Sequence, residues 1–169
     1  MGHDGSLVSA LLFLSLPVLL ALTLILQSMG MAALIQWAKA HLPKSGFGPL
    51  HSAVLVVRLT SLIVCLHMLQ ILLWARFYRW NCFPTWEAAI YFSATSYSTV
   101  GASDLVLPHN WRTLGPVESV IAVLMCGLSA SFLFAVVTRL VERDSHAELE
   151  EALKNSTPSG AEQPQPQER

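Results

Sequence analysis

Residues 98–104 read Ser-Thr-Val-Gly-Ala-Ser-Asp. They are small and polar, and they lie between two strongly apolar segments. No nucleophile here has a base beside it: Ser103 has no evident histidine partner, and nothing nearby has metal-ligand spacing. What remains is backbone chemistry. Such a stretch is useful only if its carbonyl oxygens are exposed to something that needs them.

The surroundings explain why that matters. The chain is 53% hydrophobic and 12% charged, with a mean hydropathy of +0.51, whereas soluble domains carry about 25% charged residues. This is a membrane composition, and it is read first against bilayer thickness. A net charge of −1 argues against a nucleic-acid partner. Cys65, Cys82 and Cys126 are scattered without a CxxC and read as apolar filler.

Three stretches are long enough to cross a bilayer, which takes ~20 apolar residues. No formal charge falls between Asp4 and Lys39. A helix is predicted from Leu7 to Trp37, with Pro17 inside it. The start lacks a basic n-region and the apolar run exceeds an h-region of ~7–15 residues, so it reads as a retained helix rather than a signal peptide. Residues 41–51, with two Pro, two Gly and a Lys, are predicted to be a loop. A second span follows over Ser52–Tyr78. Its Arg58 and Arg76 enclose 17 uncharged residues and can snorkel to the interfaces. A third starts after Gly115-Pro116, is uncharged from Ser119 to Thr138 and stops at Arg139-Leu-Val-Glu-Arg-Asp. His146–Lys154 is a separate short acidic helix candidate. The Pro/Gln/Glu-rich tail from Ser156 is predicted to be disordered.

Lys39, Lys44 and Arg58 flank the first loop, and Arg139, Arg143 and Lys154 follow the last span. The positive-inside rule puts both groups, and the C-terminus, in the cytoplasm, with the N-terminus outside. The segment between spans two and three then also lies outside, with Arg76, Arg79 and Arg112 reducing the contrast.

That segment holds Phe83–Ser98. Thr85 can cap a helix, and Glu87 suits its first turn. About 12–14 helical residues is too short to span. A short apolar helix followed by a polar stretch reads as a re-entrant loop. Irregular backbone at membrane depth is tolerated only where it is buried in protein or lines a water-filled cavity.

Residues 89–104, AIYFSATSYSTVGASD, resemble the pore helix and selectivity filter of the potassium channel superfamily. The family pattern runs aromatic-aromatic-S-x-x-T-x-T-T-V-G-Y-G-D. Tyr91-Phe92 stand at the aromatic pair, Thr99-Val100-Gly101 at the start of the filter and Asp104 at the acidic residue after it. The register holds without gaps, and Pro108 falls where the family often has a proline. The flanking segments resemble bacterial two-transmembrane-type pore-domain proteins, so that the likeness covers about residues 55–142.

The resemblance implies an all-α membrane protein of three transmembrane helices. A re-entrant pore helix and filter loop lie between the second and third, and four chains assemble as a homotetrameric pore. Residues 1–50 form an extra helix and cytoplasmic loop, 51–142 the pore domain and 143–169 the tail. The resemblance implies a potassium-type cation channel subunit of a bacterial inner membrane. Its permeant ions are potassium and, with weakened selectivity, sodium; it has no other cofactor. Carbonyls of Thr99, Val100, Gly101 and Ala102 and the Thr99 hydroxyl line the ion path, in extended backbone, with Ser103 completing the filter. Tyr91, Phe92 and Asp104 support it.

Two positions depart from the family pattern. Ala102 stands where the family has Tyr or Phe, which leaves a gap beside the filter. Ser103 stands where it has Gly, and positive φ at a non-glycine costs about 1 kcal/mol. These changes favour weakened selectivity; the competing reading is a non-conducting membrane scaffold or regulatory subunit that keeps the pore fold.

Other residues divide between a role and a plainer reading. Gly127 is a candidate gating hinge, or with Ser131 a small-xxx-small packing pair. Glu118 is expected in the first turn of span three, stabilising the helix terminus, with attraction of cations to an outer mouth as the second reading. Asp104 either collects cations or anchors the filter. His67, in mid-span, is expected to be neutral and hydrogen-bonded to a neighbouring helix. Arg58 reads as an interface anchor, since a voltage sensor needs a series of arginines.

Overall fold

The computed structural model describes residues 3–41, 49–102 and 104–156. Among the described residues there are four α-helices: α1 over His3–His41, α2 over Pro49–Asn81, α3 over Trp86–Tyr97 and α4 over Leu114–Ser156. A single 3-10 turn, His109–Trp111, precedes α4. There is no strand among the described residues. Among the described residues three helices are long and apolar enough to cross a membrane, over Leu14–His41, Ser52–Asn81 and His109–Ser156.

The boundaries correct several expectations. α1 is longer than Leu7–Trp37 at both ends. The loop expected over 41–51 is shorter: His41 is helical, and Pro49 opens α2 at a first-turn position where its missing donor costs nothing. Residues 42–48, with Lys44, lie outside the described residues, as do 157–169 of the tail. The largest difference is α4. The charged run at Arg139 does not end it, and His146–Lys154 continues the same helix rather than forming a separate one. Charge ends a membrane crossing, not a helix. Glu, Lys, Arg, Leu and Ala, which fill this stretch, are all strong helix formers in water.

α3 forms as expected. Thr85 is its N-cap, with its hydroxyl accepting from Ala88 N at 3.3 Å, and Glu87 sits in the first turn. At 12 residues it rises ~18 Å, far short of a hydrocarbon core of ~30 Å.

Among the described residues the two larger of three core clusters lie at opposite ends of the bundle, and the third, Ile71, Tyr97 and Ala122, is small. At the loop end Leu19, Trp74, Tyr78, Phe83, Ala89, Phe92, Leu107, Trp111 and Leu114 pack together. At the other end Leu34 and Ala38 of α1 meet Leu55, Leu59, Ile63 and Leu66 of α2 and Val136 and Leu140 of α4. α1 contributes to both. Gly30 allows its closest approach: a Cβ there would lie 2.5 Å from a methyl of Leu66.

Candidate functional site: the loop after α3 and its supports

α3 holds the loop by burying one face. Ala89, Phe92, Ser93, Ser96 and Tyr97 are buried, whereas Tyr91 is 44% exposed. The expected aromatic pair therefore divides its work. Phe92 is wedged between Tyr78 and Phe83, with ring centroids 5.1 and 5.3 Å away. Tyr91 points the other way, and the nearby Asp104 carboxylate, chiefly through its charge, raises the Tyr91 phenol above its ordinary range. Asp104 thus lies beside the helix that precedes the loop.

The loop itself starts as a helix cap. Ser98 N and Thr99 N donate to the carbonyls of Ala94 and Ser96, both at 3.0 Å, and Gly101 N donates to Thr95 O at 2.9 Å. These bonds resemble a Schellman motif, which needs a left-handed residue just past the helix end. Thr99 takes that place with φ +63°, and Gly101 follows at φ +76°. A β-branched residue in the left-handed region is an outlier, and strain of this kind costs of order 1–3 kcal/mol and clusters at functional sites. Residues 99–101 are therefore coiled at their base rather than extended as expected. Ser103, where strain was anticipated, lies outside the described residues; among those described the strain falls on Thr99. Val100 is 79% exposed, so this turn presents its surface outward.

Ala102 lines a cavity of about 570 Å³. Phe92, Ser96, Thr99, Gly115 and Ser119 form its wall around the loop, with Arg112 at its border. At Gly115 a Cβ would make ordinary contact with Phe92 at 3.4 Å and with Ser96 Oγ at 3.5 Å. Ser119 Oγ donates to Ser96 O at 2.6 Å, pinning the last turn of α3 to α4.

Glu118 is placed differently from both expectations. It is fully buried, so it faces no outer mouth, and it lies beyond the first turn of α4, which contains no acidic residue. Tyr78 Oη donates to its Oε2 at 2.8 Å, and Ser93 Oγ lies 2.6 Å from Oε1. The same Ser93 oxygen lies 2.9 Å from Ile71 O. One hydroxyl has one proton, and a carbonyl only accepts. Both short contacts are satisfied together when the carboxyl supplies a proton of its own to Ser93. Glu118 thus joins α2, α3 and α4 at one point.

His67 meets its expectation: its Nδ1 lies 2.7 Å from the Tyr97 hydroxyl on α3. Among the described residues no heavy atom lies within 4 Å of where a Cβ on Gly127 would be. Ser131 Oγ donates to the Gly127 carbonyl at 2.8 Å, a back-bond that tends to bend a helix. Arg58 is exposed, and Arg76 stacks its guanidinium 4.0 Å over Trp80. The three cysteines are free. Among the described residues no group of three or more His, Cys, Asp or Glu is placed to hold a metal ion.

Sequence reasoning missed Ser93, Gln27, Gln70 and Tyr97 as structural partners. Their signal was available: an amide in an apolar span is costly unless another helix satisfies it.

Residues 60–139 match a protein family described as ion channel. This is a little under half of the chain, and it contains α3, the loop and most of the two helices around them. No curated protein and no solved structure matches the chain. The matched segment is similar to that of an ion channel, and the three apolar helices around it point to a membrane protein.

Proposed function

We propose that the chain is the subunit of a homotetrameric, potassium-type cation channel, with residues 51–142 as its pore domain. The observation that carries this reading is the strained, hydrogen-bonded turn at Thr99-Val100-Gly101, held at the end of a helix too short to span. The family match over the same residues supports it. A dehydrated cation needs a ring of oxygens in place of its water, and backbone carbonyls can supply one. One loop per chain requires several chains around an axis, and closed rotational symmetry meets that need. α3 is then a re-entrant pore helix, and Asp104, beside Tyr91, anchors the loop's outer end.

Orientation follows from the charges. Lys39 and Arg139 border one pocket at the end of the bundle away from the loop. That end is cytoplasmic by the positive-inside rule. The N-terminus and the loop then face outside, and a bacterial inner membrane is the setting.

Ala102 and Ser103 weaken selectivity by leaving the upper filter unsupported. The cavity beside Ala102 is also what favours the second reading, a non-conducting scaffold that keeps the pore fold. Purified protein recorded in planar bilayers under opposed potassium and sodium gradients distinguishes them. The expected result is cation current with poor discrimination, sharpened in the double variant Ala102→Tyr, Ser103→Gly. Strong potassium selectivity in the wild type rules out a role for these two positions. Silence in both proteins favours the scaffold.

A further inference from the structure

Away from the loop, a chain of buried hydrogen bonds crosses all four helices, and its direction is determined. Gln27 Nε2 of α1 lies 3.1 Å from Ser129 Oγ and 3.4 Å from Met125 O, both on α4. The carbonyl can only accept, so the amide nitrogen of Gln27 faces α4. Its oxygen therefore faces α2 and accepts from Gln70 Nε2 at 2.6 Å. The Gln70 oxygen is left to accept from the Tyr97 hydroxyl of α3. Having given its one proton, Tyr97 accepts from His67 Nδ1 at 2.7 Å. Reversing either amide sets two acceptors or two donors face to face, so donor and acceptor roles follow from the network. Gln27 and Gln70 are 2% and 0% exposed, and neither has water as an alternative partner.

The two ends of this chain are the parts of the molecule that a pore must move and hold. Tyr97 is the last residue of α3, two before the strained Thr99. Met125 and Ser129 lie on either side of Gly127, where a Cβ would meet open space and Ser131 is back-bonded to the Gly127 carbonyl.

We propose that α1 is part of the gating apparatus, and that Gln27 is a positioning residue coupling the bend of α4 at Gly127 to the seat of α3 and its loop. This rests on the channel reading above. When α4 bends away from α1, Gln27 loses its partners on Met125 and Ser129. With no water at this depth, the freed amide has to find others, and Gln70 and Tyr97 shift with it. The extra helix thereby supplies a side chain that connects α4 beside Gly127 to the base of α3, in addition to the direct contacts of Ser119 and Glu118 with α3.

Hydrogen exchange read by mass spectrometry on the full chain in lipid nanodiscs tests this, paired with single-channel recording in potassium. The variants are Gln27→Leu, Gln70→Leu and the two combined. Thr23→Val is the control, since it removes a bond to Trp74 one turn away on α1 that is not part of the chain. Gln27→Leu is expected to raise exchange both at 94–101 and at 125–131. The increase should be roughly three- to fifteen-fold, the span of one interhelical hydrogen bond in a membrane. The double variant adds nothing further, and the control changes neither segment. In recordings, open times change while unitary conductance stays the same. Exchange that rises at 125–131 alone overturns the coupling, as do additive effects in the double variant. If the wild type passes no current, the channel reading fails, and the exchange pattern still decides whether the two ends are coupled.

Discussion

At the loop end of the bundle Trp74, Tyr78, Phe83, Phe92 and Trp111 pack together, and Tyr78 also donates to the buried Glu118 carboxyl. At the other end Leu34, Leu55, Leu59, Ile63, Leu66, Val136 and Leu140 pack aliphatic against aliphatic. The two regions do different things. Rings prefer particular angles, and buried hydrogen bonds fail beyond a few tenths of an ångström, so together they define one arrangement. Aliphatic cores tolerate volume-conserving exchange and lose uniqueness before stability. The specific contacts are concentrated where a loop must be held, and the interchangeable ones where helices need only adhere.

Substitutions can break this contrast or sharpen it. The largest effect is expected from Glu118→Ala, which leaves the Tyr78 hydroxyl buried without a partner and Ser93 with only its bond to Ile71 O. At about 1–3 kcal/mol for the unsatisfied hydroxyl and about 1 kcal/mol for the bond lost at Ser93, the loss is about 2–4 kcal/mol. Glu118→Gln keeps an oxygen for Tyr78 and a donor for Ser93, and should cost under ~1 kcal/mol. Thermal unfolding in detergent compares the two; equal losses would remove the argument that the carboxyl supplies a proton to Ser93.

A smaller change is expected at the aliphatic end. Leu59, fully buried, should accept Leu59→Met at a cost below ~1.5 kcal/mol. A loss as large as that of Glu118→Ala would erase the distinction between the two ends. The smallest effect has the opposite sign. Thr99→Gly removes the left-handed strain of about 1–2 kcal/mol but adds unfolded-state freedom of about 0.4–1 kcal/mol, for a net gain of about 1 kcal/mol or less. The same unfolding assay reads it, and a net loss would mean that the Thr99 side chain holds the turn by contacts that outweigh its strain.

Much of the fold was legible because it rests on one-dimensional signals. A charge-free run longer than a bilayer is thick has few alternatives to a helix, which is why three helices of membrane-spanning length were predictable. Thr85 and Glu87 marked the start of α3 by local capping chemistry, which needs no partner from elsewhere in the chain. The helix ends were less legible. Nothing local told a charged exit from the membrane apart from the end of the helix, and α4 runs past Arg139 to Ser156.

The site divided along the same line. The 98–104 stretch, the Tyr91-Phe92 pair and the alanine at 102 could be singled out by residue type and register. The separate directions of Tyr91 and Phe92, the burial of Glu118 and the partners of His67 could not. Each depends on which residue another helix brings within about 3 Å, and sequence spacing is silent about contacts 25 to 102 positions apart. By itself the sequence determined that this chain has three membrane-length helices and a short one ahead of a small polar loop, since hydrophobic length and capping are local properties. Only the tertiary structure decided that Glu118 is internal, that strain falls on Thr99 and that α1 reaches α4 through Gln27. Those are matters of geometry between helices, where a buried polar group must find its partner or leave its bond unmade.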